Sequence, residues 1–506
     1  MWLLGVLLLP AVAGGVIAIG RWRPAFAWLA VASNGAIMVW GVALSVRVVK
    51  LGAITGADGG LRADALSTFM VIVIGCIALL ASWLGVGTIA SELDDGRCSH
   101  NQAAVYAALV QAFITSMLLA VMAANVGLLW VAIEATTIVT TFLVGHRRTR
   151  GSLEASWKYI VICTVGIALA FLGTVLVYLA AVHGGARTAQ ALDWTSLVAE
   201  SSRLNPSVMR LAFALIVLGY GTKVGLAPMH SWLPDAHSQA PAPVSALMSG
   251  VLLTVSFYAI LRFRTVASAA LGATFPRALL VTVALLSLGV AASLMVSQRD
   301  YKRMLAYSSI EHMGLIALGA AAGTPLAIAA VLLHILGHGL AKSVLFLASG
   351  EILAEEGTSD IRGVRALLTR RPTLGAVFGI GLLALLGLPP FSLFTSELIM
   401  IRAEVDVGLG WAAALALGFV AVIFATMATH ARHMLLGAPA PVAAAASEPG
   451  TVASAEHGAL ASTRPGQVSR MVSGPLVGGL VLSAAIGVFA WPLSGLLNAA
   501  ARVVAP

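Results

Sequence analysis

Apolar runs of about 20 residues recur from Leu3 almost to the last residue, each long enough to carry an α-helix through a hydrocarbon layer about 30 Å thick. This repetition limits the fold more than any other feature. In lipid every backbone N–H and C=O must be paired internally, so only helices and closed barrels can span. A barrel would alternate in polarity over segments of roughly ten residues, and these runs do not alternate. The chain therefore reads as an all-α, polytopic membrane protein. Its composition agrees, with 59% hydrophobic residues, 10% charged residues and a mean hydropathy of +0.96.

The periodicity predicts helices near 2–20, 25–47, 64–89, 103–123, 126–145, 155–182, 208–228, 243–263, 276–297, 304–322, 325–349, 373–402, 409–436 and 471–497, about fourteen transmembrane helices. Residues 1–20 lack a basic leader, and Arg21 and Arg23 follow the apolar run, so a first membrane helix is expected rather than a cleaved signal. An even count puts both termini on one side. With the termini outside, sixteen Lys and Arg fall in inside loops and eleven in outside segments, which supports that orientation in a cell membrane. The expected organisation is 1–102 (helices 1–3), 103–263 (helices 4–8), 276–436 (helices 9–13), a flexible Ala, Pro, Ser and Gly-rich linker at 437–470, and the last helix in 471–506.

Several function classes fall away. The net charge of +9 would suggest nucleic acid in a soluble protein, but here the basic residues gather in loops between spans. Cys76, Cys98 and Cys163 lie far apart with no Cys/His spacing, so the sequence supports neither an iron–sulfur cluster nor zinc. No phosphate-binding glycine loop stands between a strand and a helix. No cofactor or metal is expected in this chain, and electron carriers would sit elsewhere. Segment 350–371, charged in both signs, is a candidate docking face for a peripheral protein.

Against this apolar background one stretch is built differently. The seventh span carries Lys223 and then breaks through Gly225, Pro228, Pro234, Pro241 and Pro243, with His230, Asp235 and His237 inside the break. Irregular backbone at membrane depth survives only where protein or a polar cavity surrounds it, so a broken helix bearing charge is a transport-site candidate. Other ionisable residues at membrane depth are Glu134, Lys158, Glu311, His312, His334, His338, Lys342 and Glu397. Each acid or base at a helix centre costs about 2.5–3.5 kcal/mol on insertion. Glu134 is the natural partner of Lys223: a nearby carboxylate favours the charged ammonium and burial opposes it, so moving the two apart acts as a switch. His334, His338 and Lys342 recur at i, i+4, i+8 on one helix face, where imidazoles can both donate and accept protons. Lys158 can instead snorkel to the surface. Pro389-Pro390 followed by Glu397 repeats the design of the seventh span in the twelfth, and Glu311 echoes Glu134. Two inverted five-helix repeats, helices 4–8 and 9–13, with discontinuous helices 7 and 12, account for the pattern.

The run Lys223-Val-Gly-Leu-Ala-Pro-Met-His-Ser-Trp-Leu-Pro-Asp-Ala-His-Ser-Gln-Ala-Pro-Ala-Pro closely resembles the signature of the proton-pumping, antiporter-like membrane subunits of respiratory complex I. Asp300-Tyr-Lys-Arg-Met-Leu-Ala-Tyr-Ser-Ser-Ile-Glu-His-Met-Gly and His338-Gly-Leu-Ala-Lys342-Ser also fit. The Ser-Ser-Ile-Glu-His-Met-Gly form, with Glu-Ala-Ser-Trp-Lys-Tyr at 154–159, is most similar to component F of the hydrogenase-4 type membrane-bound nickel–iron hydrogenases. The resemblance covers helices 4 to 13. It implies a proton-translocating subunit working with other membrane subunits and peripheral hydrogenase- or dehydrogenase-like subunits that carry out the electron transfer. It also implies a polar axis through Glu134, Lys223, Lys342 and Glu397. Where relatives carry Lys or His on helix 8 this chain has Ser249, so that step would fall to water, His230 or His237. A cation/proton antiporter or uptake subunit without redox chemistry would use the same groups.

Overall fold

A computed structural model describes residues 2–437 and 470–505. The expected linker, 437–470, lies outside the described residues except at its two ends. All fourteen expected stretches contain helix, but their continuity differs from expectation. Eleven described helices are individually long and apolar enough to cross a bilayer, and a twelfth follows if the bent pair Val472–Val488 and Trp491–Val504, 77° apart, is one span. Two departures explain the shortfall from fourteen. Helix Tyr301–Ala322 is long enough, but Ser308, Ser309, Glu311 and His312 dilute its apolar run; most of its residues are buried against other helices, so it need not be apolar all round. The expected helix 373–402 is two shorter helices, Pro372–Leu385 and Ser392–Asp406. The one strand pair among the described residues is a small antiparallel hairpin, Ile54–Gly56 with Leu61–Ala63.

Two rods form the centre. Ala242–Leu271 and Pro325–Glu356 are buried along their whole apolar windows, whereas Gly410–Leu436 at the periphery is buried over only 28% of its window. The two rods approach closely because glycines face each other. A Cβ added at Gly339 would lie 2.9 Å from the Gly250 carbonyl oxygen, and one at Gly250 would lie 3.2 Å from that of Gly339. Beside this contact the backbone widens into a π-helical turn, Met248–Leu252, which carries Ser249.

The first break follows helix Pro206–Val224. Gly225 takes a left-handed φ of +82°, and a Cβ there would meet Leu233 Cδ1 at 2.3 Å, so both backbone and space demand glycine. The backbone groups freed by the break find partners. Trp232 Nε1 donates to the Thr222 carbonyl at 2.8 Å, and the Ala227 N–H donates to Ser287 Oγ at 2.9 Å. Helix Trp232–Gln239 then runs to Ala240, where buried Lys302 donates to the Ser238 and Ala240 carbonyls at 2.8 and 3.2 Å. A cation at a helix C-terminus is favoured there. The second break, between Leu385 and Ser392, turns at Gly387 with φ +65°.

Segment 350–371 is more tied down than its charge pattern suggests. Its first residues extend helix Pro325–Glu356, and its charges pair within the segment, Arg370 with Glu356 at 2.9 Å and Arg371 with Glu355 at 2.7 Å. The Ile361 N–H donates to the Arg299 carbonyl at 2.7 Å, which fastens the segment to the neighbouring loop.

Candidate functional site

Glu134 stands half-buried on helix Val126–Val144, with Thr137 one turn further along the same face. Across from them, Lys223 occupies the last turn of Pro206–Val224 and is fully buried. Its Nζ donates to Thr137 Oγ1 at 2.9 Å and to Tyr159 OH at 2.5 Å. Thr137 Oγ1 in turn donates to Glu134 Oε2 at 3.2 Å. The expected direct Glu134–Lys223 pair is therefore corrected to a bridged one, because the threonine hydroxyl accepts from the amine and donates to the carboxylate. Tyr159 is held in place by an edge contact with Trp232, ring centres 4.9 Å apart. The tryptophan that satisfies the helix break thus also packs against the ring that holds the lysine.

A second cluster gathers around helix Pro325–Glu356. Lys342, fully buried, donates to the Leu305 carbonyl at 2.5 Å and to Ser308 Oγ, both on Tyr301–Ala322. On the next residue of that helix, Ser309 Oγ lies 2.8 Å from Ser249 Oγ in the π-helical turn. The partner of Ser249 is thus the sequence neighbour of Ser308, a partner of Lys342. Along the same helix as Lys342, His334 Nε2 meets His312 Nδ1 at 3.0 Å, and His334 Nδ1 meets Ser396 Oγ at 3.0 Å. His338 lies against His312 with ring centres 5.1 Å apart. The expected row along one helix face is thus not a direct chain: His334 bonds His312 from the neighbouring helix, while His338 only packs its ring against it. Glu397 completes this end. Its carboxylate lies against Gly387, where an added Cβ would be 2.5 Å from Oε2, and one ligand atom from each of His312, His334 and Glu397 lies within 4.8 Å of the others. That set has the composition of a cation site, but its imidazoles already bond one another and Ser396, an arrangement suited to passing protons.

The remaining expected residues are divided. Glu311 is buried on the helix of His312. His237 is buried and stacks on Phe346, ring centres 5.0 Å apart, while Ser245 Oγ donates to its carbonyl at 3.0 Å. Among the described residues neither ring nitrogen of His237 or of His338 has a hydrogen-bond partner. His230 is half-buried at the edge of the break, with Nδ1 3.2 Å from the Pro228 carbonyl. Lys158 departs from the buried set. It is exposed, bonded to Glu154 at 2.6 Å and to Asp235 at 3.0 Å, so it snorkels to the surface instead of joining the residues at membrane depth. Asp235 is also the partner of Arg303 at 3.0 Å. The two clusters are not joined directly: no hydrogen bond or ion pair among the described residues links Lys223, Thr137 or Tyr159 to Lys342 or the histidines.

Sequence reasoning missed Thr137, Tyr159, Ser308 and Ser396. A weak signal existed for two of them, since Thr137 lies one turn from Glu134 and Tyr159 follows Lys158 in the quoted motif. It also gave no role to Arg262. Arg262 is buried, donating to Asp64 Oδ1 at 2.7 Å and to Tyr258 OH at 3.1 Å.

Residues 123–425 match the model of a family described as NADH:quinone oxidoreductase/Mrp antiporter, TM. The chain is 40% identical over 360 residues to the hydrogenase-4 component F homolog of Methylacidiphilum infernorum, covering 71% of this chain and 76% of that one. It is 31% identical over 357 residues to hydrogenase-4 component B of Escherichia coli, covering 67% of this chain but only 50% of that protein. In fold it is similar to a chain of the Mrp complex from a Dietzia species, with a TM-score of 0.83 at 21% identity over 99% of this chain and 96% of that one.

Proposed function

The chain belongs to the NADH:quinone oxidoreductase/Mrp antiporter transmembrane family, and from that premise we propose that its two buried clusters move protons for a hydrogenase-4-like assembly. It is a proton-translocating membrane subunit of a complex I-related complex, embedded among other membrane subunits. Electron transfer belongs to peripheral, dehydrogenase- or hydrogenase-like partners, and this chain needs no cofactor of its own. Its N- and C-termini face outside in a cell membrane, and helices 4–8 and 9–13 are inverted repeats of one another.

The observation that carries the reading is the bridge Glu134–Thr137–Lys223. A fully buried ammonium held through one hydroxyl to a carboxylate has two arrangements within reach of a small helix shift. With the bridge closed, the carboxylate stabilises the charge; with it open, low-dielectric surroundings favour giving the proton up. Redox events in partner subunits would bias that shift. The released proton would travel through protein-lined space toward Lys342, the histidines and finally Glu397, which faces the second break. Ser249, His237, Glu311 and His230 are the further groups this course would use.

The test uses inverted membrane vesicles containing the assembled complex. Lys223→Ala is expected to abolish proton translocation coupled to electron transfer, while electron transfer to an artificial acceptor persists. Translocation at the unmodified rate would overturn the proposal. Cation/proton exchange by the chain without redox partners would favour the antiporter reading.

A further inference from the structure

A second constellation lies at one end of the bundle, away from the buried clusters. Helix Ala65–Asp94 ends there, and the chain folds back so that the N–H groups of Arg97 and Cys98 donate to the Glu92 carbonyl at 2.9 and 3.1 Å. That turn sets the Cys98 thiol beside the Glu92 carboxylate. From another direction, helix Val126–Val144 stops before Gly145, and His146 Nε2 comes to 3.9 Å from Glu92 Oε2. The imidazole is braced by Tyr106, ring centres 4.7 Å apart. One ligand atom from each of Glu92, Cys98 and His146 lies within 4.8 Å of the other two, and all three side chains are largely shielded from solvent.

We propose that Glu92, Cys98 and His146 form a binding site for one transition-metal ion of the Zn²⁺ class. Carboxylate, thiolate and imidazole are the three ligand types that zinc takes. Its bonds of about 2.0–2.3 Å place tetrahedral ligand atoms roughly 3.3–3.7 Å apart, so the 3.9 Å between His146 and Glu92 needs only a slight closure. On binding, the thiol proton leaves to solvent, the thiolate, imidazole and one carboxylate oxygen form three bonds, and water fills the fourth position. Arg147 holds the other carboxylate oxygen, Nη2 to Oε1 at 3.3 Å. It orients the ligand as an outer partner, and its positive charge opposes the dication. A reversible, regulatory site fits that balance better than a permanent structural one. Without metal, Glu92 keeps Arg147 and the Cys98 thiol donates to the Ser99 carbonyl at 3.4 Å.

The sequence argued against a metal because its cysteines and histidines lack ligand spacing along the chain. The fold supplies the proximity by bringing the ends of two helices together. An ion there would fasten the turn after the third helix to the end of the helix that carries Glu134. None of the three ligands belongs to the buried clusters, so this proposal stands or falls independently of the translocation reading.

The experiment titrates Co²⁺ into the purified full chain in detergent. One equivalent is expected to bind with a thiolate-to-cobalt charge-transfer band, displaced by Zn²⁺. Cys98→Ser is expected to remove the band, and His146→Gln to weaken binding on the order of tenfold or more, while Lys223→Ala leaves both unchanged. In parallel, the cobalt X-ray absorption of the unmodified chain is expected to show one sulfur ligand, a readout that does not depend on any variant folding. A folded chain that shows no thiolate band, a band that survives Cys98→Ser, or a cobalt absorption without a sulfur ligand would each overturn the proposal.

Discussion

The two breaks in the membrane helices are made from similar parts but wired differently. At the first, the amine of Lys223 is gripped by two side chains from two other helices, Thr137 and Tyr159, and Thr137 carries the link to the acid. In the second cluster, on the unbroken helix Pro325–Glu356, the amine of Lys342 is tied to a carbonyl and a hydroxyl of a single neighbouring helix. The acid at the second break, Glu397, stands with the histidines His312 and His334. The first end is a compact base–hydroxyl–acid unit, and the second is a more extended set of contacts spread over several side chains. Under the proposed function, the difference is that between a switch and a conductor.

Removing the amines breaks the comparison most severely. Lys223→Ala is expected to lower coupled translocation on the order of 10²–10⁴-fold, the usual range for a positioned acid–base group, as read by acidification of inverted vesicles. Thr137→Val then sharpens it, because it keeps shape and volume while deleting the bridge. Hydrogen bonds to charged groups contribute about 1.5–3 kcal/mol, so a loss of roughly 10–100-fold is expected in the same assay. A loss of less than twofold would mean that the threonine does not link the pair. At the relay end, His334→Gln interrupts the His312–His334–Ser396 contacts but leaves His338 beside His312. Losing these two neutral hydrogen bonds, worth about 0.5–1.5 kcal/mol each, is expected to cost roughly tenfold, and a loss as large as that of Lys223→Ala would erase the distinction between switch and relay. The smallest effect belongs to Ser249→Ala. It deletes one neutral hydrogen bond, worth about 0.5–1.5 kcal/mol, so translocation should fall roughly two- to tenfold while the melting temperature shows that the helix packing is retained.

Much of the architecture was legible in the residues. The positions of the helices followed from apolar run length, and both breaks followed from glycine and proline, whose backbone constraints are local. The count of fourteen was less secure. Tyr301–Ala322 is shielded by neighbouring helices and so tolerates Ser308, Ser309, Glu311 and His312, and a break can divide one apolar stretch into two short helices, as at Pro372–Leu385 and Ser392–Asp406. Burial of individual charges was harder still. Lys158 and Lys342 occupy matching places in the proposed repeats, yet one ends in solvent beside Asp235 and the other in the core. Arg262, given no role, and Lys302, counted with the loop charges, are buried and bonded.

The sequence by itself determined that this chain spans a membrane as helices and where those helices break, because hydrophobic run length, glycine and proline act through neighbours along the chain. Only the tertiary structure decided that Thr137 bridges Glu134 to Lys223, that His312 bonds His334 and packs against His338, and that Cys98 stands with His146. Those contacts connect helices far apart in sequence, and a hydroxyl, imidazole or thiol has the same local signature whether packing turns it toward a partner or toward lipid.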